Sequence, residues 1–152
     1  MSCSRLFWTS IDVSRLFARF GGIETALMSG YERHWLFTDE AHYPRGLSID
    51  HPAKRLYWSD TKLRTIYSCK LDGKDIQLVH TYPHPLDHPY QLAVFEDFLY
   101  VNIVPRNRIH RLHKFGGRRH NSTVMSVFNR RVTHLIVMQE NLQKIDSEYM
   151  IT

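Results

Sequence analysis

Arg55-Leu56-Tyr57-Trp58-Ser59-Asp60, followed four residues later by Thr65-Ile66-Tyr67-Ser68-Cys69-Lys70-Leu71-Asp72-Gly73, decides the fold of this chain. Both runs are short, rich in aromatic and β-branched residues, and bounded by polar and glycine turns, which is the chemistry of strands. The same order recurs on either side. Leu6-Phe7-Trp8-Thr9 and Leu99-Tyr100-Val101-Asn102 stand where Leu56-Tyr57-Trp58-Ser59 stands, with their third members 50 and 43 residues apart. Glycine turns are expected at Phe20-Gly21-Gly22, Leu71-Asp72-Gly73 and Phe115-Gly116-Gly117, at offsets of 14, 15 and 16 residues to the last glycine. Ahead of the second and third aromatic strands come Gly46-Leu47-Ser48-Ile49-Asp50 and Gln91-Leu92-Ala93-Val94-Phe95, introduced by Tyr43-Pro44-Arg45 and His88-Pro89-Tyr90. No helical period is sustained anywhere. Four strands in a unit of roughly 43 residues describes the blade of an all-β propeller.

Further strands are expected at 23–28, 76–80 and 123–128, and Thr133-His134-Leu135-Ile136-Val137-Met138 is a third copy of the strand that opens a blade. The chain divides into a tail at 1–4, repeats at about 5–54, 55–97 and 98–143, and a second tail at 144–152. That amounts to about three blades of four-stranded antiparallel sheet: three strands of an earlier blade, two complete blades and a final strand. The first repeat is seven residues longer than the others, and the surplus is assigned to a loop around residues 31–40 that contains Trp35.

Arg55 to Asp60, Thr65 to Gly73 and Pro89-Tyr90-Gln91-Leu92-Ala93-Val94-Phe95-Glu96-Asp97-Phe98-Leu99-Tyr100 together resemble the YWTD, or class B, repeat of the low-density lipoprotein receptor and its relatives. The resemblance runs from about Arg5 to Gln143 and is strongest to the large multi-ligand endocytic members. It implies a six-bladed ring, of which this chain is a part, followed by an epidermal-growth-factor-like module and flanked by calcium-binding ligand-binding repeats in a membrane-anchored ectodomain. It implies a noncovalent function as well: binding protein ligands, or releasing them at low pH, at the extracellular face of the plasma membrane or in the endosome. A Wnt co-receptor type and a matrix protein with the same repeat remain alternatives. Trp8, Tyr57, Trp58, Asp60, Gly73 and Tyr100 are the motif residues. Of the motif carboxylates only Asp60 is kept, since Ser10 and Ile103 stand at its place in the neighbouring repeats.

Composition agrees with a folded, basic domain. In 152 residues, 43% are hydrophobic and 12% aromatic, and the net charge is +5 with ten histidines in reserve. Acidic partners suit that charge. Two cysteines, Cys3 and Cys69, are too few for a disulfide-dense module or a paired zinc site. The N-terminal residues have no apolar signal core, and no run of about 18 apolar residues occurs. An exported reading therefore ties the membrane to parts of a longer parent.

The aromatic motif residues are expected between blades, where rings fill a tapering interface. Trp35 is a candidate ligand anchor, because loops on a rigid scaffold carry binding function. Arg108, Arg111, Lys114, Arg118 and Arg119 form a basic set for acidic protein ligands or for the acidic repeats of the parent receptor. Nucleic acid is not expected, since no recognition motif accompanies the charge. His84 and His88 flank prolines and are candidate pH sensors. Asn121-Ser122-Thr123 is a glycosylation sequon. No metal-ligand spacing and no cofactor motif is found. Nucleophile elbow, phosphate loop and metalloprotease helix are missing, so a non-enzyme is expected, with a propeller hydrolase the remote alternative.

Overall fold

The computed structural model describes residues 4–12, 20–38, 41–116, 123–127, 129–130 and 132–136. Its strands form three antiparallel sheets in sequence order. The first holds β1 (Arg5–Asp12), β2 (Phe20–Leu27) and β3 (His34–Phe37). The second holds β4 (Pro44–Asp50), β5 (Arg55–Asp60), β6 (Thr65–Lys70) and β7 (Gln77–Thr81). The third holds β8 (Asp87–Phe95), β9 (Phe98–Pro105), β10 (Arg108–His113) and β11 (Thr123–Val127). This is the expected partial propeller: two complete four-stranded blades preceded by three strands of another.

Register corrects three expectations about the first repeat. Trp8 pairs with Glu24, sixteen residues on, whereas Trp58 pairs with Tyr67, nine residues on. The seven surplus residues therefore lie between β1 and β2, at 13–19, and not around 31–40. Trp35 consequently sits in strand β3, opposite Glu24, and not in a loop. Gly21 and Gly22 make no turn, for they belong to β2. They are glycine because of what covers them: an added Cβ would lie 2.3 Å from Pro44 Cδ at Gly21 and 2.7 Å from the Trp35 ring at Gly22. The turn glycine of this blade is Gly30, at φ 86, matching Gly73 at φ 83 and, in the third blade, Gly116 at φ 66. Thr133 to Ile136, expected to begin a strand, make no ladder among the described residues, and Val137 and Met138 lie outside them.

Successive residues of a strand face opposite sides, so each sheet buries two faces. From β5, Trp58 and Leu56 face the first blade and join Ile23, Cys69, Phe7 and Phe37. Tyr57 faces the third blade and joins Ile66, Val79, Tyr82, Leu92, Leu99 and Val101. Trp58 lies 4.8 Å from Phe37 and 5.5 Å from Tyr67, ring centre to ring centre. Burial pushes the Cys69 thiol up to about 12, so it stays protonated inside this interface.

Polar contacts set how the blades lie side by side. Ser59 Oγ accepts a hydrogen bond from Gly46 N at 2.8 Å within its own blade and donates to Tyr90 C=O of the next at 2.9 Å. Thr61 Oγ1 donates to Pro89 C=O at 3.0 Å, and Val94 N donates to Ser48 Oγ at 3.1 Å. In the third blade Asn102 takes the place of Ser59, and its amide reaches Val132 C=O. Val132 is thereby held as Tyr90 is held, one blade further on.

Gly46 is the tightest point of this arrangement, since an added Cβ would stand 2.7 Å from Leu92 N and 2.8 Å from Tyr90 O. Backbone atoms cannot move aside as a side-chain tip can. Gly46→Ala is therefore expected to cost about 2–3 kcal/mol by overpacking. Gly30 has nothing within 4 Å of its added Cβ, and Gly30→Ala should cost only about 1 kcal/mol, for the left-handed backbone alone. Urea denaturation of the two variants measures both, and equal losses would contradict the close-packed crossing.

Candidate functional site

The inner strands β4 and β8 begin at the same end of the molecule, together with the β5–β6, β7–β8 and β9–β10 connections. Each contains a bulge at its start. Pro44 pairs with Asp60 and Leu47 with Trp58, while Pro89 pairs with Ile103 and Leu92 with Val101, so each inner strand carries one extra residue. A bulge re-aims side chains. Here the re-aimed pairs are Arg45-Gly46 and Tyr90-Gln91. Between them opens a cleft of about 640 Å³, lined by Arg45, Tyr90, Thr61, His88, Pro105 and Asn107.

The Arg45 guanidinium lies 4.8 Å from the Tyr43 ring centre and 5.5 Å from that of Tyr90. Its Nε is buried without a hydrogen-bond partner. His88 Nδ1 lies 3.1 Å from Thr61 C=O, so that nitrogen carries the proton and donates it. Asp60, wholly buried, accepts from His42 N at 2.7 Å, Tyr43 N at 2.9 Å and Leu63 N at 2.9 Å. It thus holds the segment that leads into β4 and positions Tyr43 and Arg45.

Arg106 closes the neighbouring wall, 3.4 Å from Asp87 and 2.8 Å from the His84 ring. Deeper between the second and third blades lie His80, Tyr82 and His110, with ring centres 4.6 Å and 5.6 Å apart in turn. His110 is 5% exposed and neither ring nitrogen has a hydrogen-bond partner. Burial depresses the affinity of both imidazoles for a proton. At His80 the neighbouring His110 acts in the same direction; at His110 Asp87 opposes it while Arg108 and Arg106 add to it.

The candidate residues scatter more widely than their spacing suggested. Tyr57, Trp58 and Asp60 are buried, and Gly73 turns against Leu36 of the first blade. Trp8 is half-buried beneath the Arg33 guanidinium at 5.4 Å, and Tyr100 is half-buried on β9. Trp35 is 46% exposed, with its ring over Gly22. His84 and His88 do come to the same end, His88 inside the cleft.

Among the described residues the basic set does not assemble. Arg108 opens β10 at the cleft end, while Lys114 follows the same strand at the far end, about 20 Å away at strand rise. Lys114 is not a free ligand contact: it is 8% exposed, 2.8 Å from Asp50 of the second blade and 3.8 Å from Asp97. Arg111 lies over Phe98 at 4.8 Å. Arg118, Arg119 and Asn121 lie outside the described residues. Arg45, Tyr43 and Tyr90 were not singled out, although Arg45 and Tyr90 each follow the proline of successive repeats, and that equivalence makes them lateral neighbours.

Stacked antiparallel four-stranded blades with cross-blade contacts from the Ser59 position define a β-propeller module. No family model matches the chain. Among curated proteins it is 32% identical over 115 residues to the vitellogenin receptor Yl of Drosophila melanogaster, a match spanning 76% of this chain and 5% of that receptor. It is 30% identical over 115 residues to the vitellogenin receptor of Solenopsis invicta, spanning 75% and 6%. With the protein cueball of Drosophila virilis it shares 32% over 102 residues, or 64% and 15%. Among solved structures, a chain of a nidogen/laminin complex superposes with a TM-score of 0.61 at 20% identity, over 82% of this chain and 42% of that one. A luciferin-regenerating enzyme superposes at 0.62 with 12% identity over the same shares, which shows the common fold alone. The chain belongs to the YWTD-repeat β-propellers of the low-density lipoprotein receptor-related family.

The buried His110 and half-buried His80 are expected to make stability depend on pH. Their folded proton affinity lies below the unfolded value of about 6.5, so their neutral forms are accommodated above that pH and the contribution is lost as pH falls beneath it. Thermal melts of the wild-type chain should therefore decline from pH 7 toward pH 5. His110→Phe keeps a ring in place and should flatten that decline; an unchanged slope would show that the acid sensitivity arises elsewhere.

Proposed function

We propose that this chain is the protein-binding propeller of an endocytic receptor, acting by noncovalent association at the extracellular face and in the endosome of its parent. The observation that carries the reading is the cleft at the entry end of β4 and β8. It is open, walled by Tyr90 and Pro105, and held in shape by Asp60, Ser59 and Thr61, which is the form of a rigid recognition surface. The sequence likeness to two vitellogenin receptors supports a receptor setting. The chain spans only 5% and 6% of those receptors, so ligand and route belong to the proposal. Among the described residues no three His, Cys, Asp or Glu side chains gather as a metal site, and the cleft holds no acid–base pair. A binding role accounts for it better than catalysis.

Acid release fits the same site. Charging His80 and His110 loosens the junction between the second and third blades, whose inner strands carry the two walls of the cleft. Transplanting these blades into the matching segment of the Drosophila vitellogenin receptor tests the reading. The chimera is expected to reach the cell surface, internalise vitellogenin and release it below about pH 6. A chimera that reaches the surface and takes up ligand no better than a receptor lacking its propeller would overturn it.

A further inference from the structure

We propose that Arg45 is a preformed receptor for a carboxylate side chain from an acidic segment of a protein ligand. The inference rests on the binding reading above and adds the group that is recognised. Among the described residues Arg45 makes no salt bridge and no side-chain hydrogen bond. Of the neighbouring side chains, Arg106 is engaged with Asp87 and His84 and His88 Nδ1 with Thr61 C=O, while Lys62, Arg64 and Arg108 stand at the same end outside the cleft lining, which leaves Arg45 as its uncommitted guanidinium. Tyr43 and Tyr90 occupy the neighbourhood of the guanidinium plane, leaving its N–H edge as the part able to bind. A guanidinium held this way has given up its rotamer freedom before any ligand arrives.

The chemistry of the cleft selects an anion. Arg45, Lys62, Arg64, Arg106 and Arg108 stand at this end, whereas its described carboxylates, Asp60 and Asp87, are 0% and 8% exposed. Both acids are committed, Asp60 to three backbone N–H groups and Asp87 to Arg106. Nothing there competes with an incoming carboxylate among the described side chains. Val104 and Pro105 give the cleft an apolar wall that strengthens a charge-assisted pair, and Thr61 and Asn107 offer hydrogen-bonding groups beside it. A planar carboxylate matches the fork of one arginine. An extended sulfated chain would instead draw on dispersed surface charge such as Lys62 and Arg64.

Binding of a fluorescent Glu-rich decapeptide to the full 152-residue chain, read by anisotropy in about 150 mM salt, tests the assignment. Arg45→Gln should weaken binding at least about 10-fold, and Arg45→Lys, which keeps charge but loses the fork, by about 5-fold. Lys62→Gln, on the same end and outside the cleft, should change it less than about 2-fold. A peptide with Gln for Glu should not bind. Circular dichroism of each variant separates lost binding from lost fold, and Arg45→Lys serves if the glutamine variant unfolds. Equal losses in the Arg45 and Lys62 variants, binding of the Gln peptide, or binding of heparin but not of the Glu peptide would each overturn the proposal. Failure of the receptor chimera with the Arg45-dependent affinity intact would count against the receptor role alone.

Discussion

Two inner strands pass so closely at Gly46 that a methyl group would strike the backbone of Leu92 and Tyr90. Ser59 sits at that crossing, accepting from Gly46 N and donating to Tyr90 C=O. Everything outward follows from it. The crossing sets the angle and spacing of the second and third blades, and the apolar residues of β5, β6 and β9 then fill the wedge between them. A backbone approach of this kind has no slack, whereas the side chains further out repack at small cost. That is why the polar contact and the glycine sit at the narrow inner side of the blade, and the large aromatic rings sit where the wedge widens.

Away from the crossing, the repeat keeps roles while exchanging residues. Arg55 donates to Ser68 and pairs with Asp75, and in the first blade Arg5 does the same with Thr25 and Glu32. In the third blade Phe98 stands at that place and Arg111 lies over its ring, so a cation on an aromatic face replaces the ion pair. On the matching face of the first blade Trp8 keeps the place of Trp58, but Glu24 takes that of Tyr67. Glu24 there receives Arg33 at 2.7 Å and Ser10 at 2.6 Å, and hydrogen bonding by Arg33 holds its carboxyl below the usual range. Ser10 at the Asp60 position therefore serves a different partner instead of leaving a gap.

The cleft and the imidazole stack share one junction. The bulges that place Arg45 and Tyr90 lie at the top of the second and third inner strands, and the His80–Tyr82–His110 stack lies between the same two blades. A change that spreads these blades alters the width of the cleft directly, with no relay through other parts of the molecule. Both walls of the cleft are attached to the inner strands of the two blades between which the imidazoles pack.

Strand content, the four-strand unit and the interblade placement of Tyr57 and Trp58 were legible in the chain because alternation along a strand is local and the repeat multiplies the signal. The glycines were read less well. Gly21-Gly22 and Gly73 look alike in one dimension, yet the first pair makes room for Pro44 and Trp35 while the other turns the chain, and only the packed neighbours distinguish the two. Arg108, Arg111 and Lys114 likewise stand close together by number, but β10 spreads them along its length and puts Lys114, just past its end, in a buried pair with Asp50 of another blade. Sequence by itself determined that this is a run of propeller blades, since hydrogen-bonded strands and their turns depend on residues close together in the chain. Tertiary structure alone decided that Arg45 and Tyr90 face one another across the cleft, because they meet only when two blades are brought side by side around the crossing at Gly46.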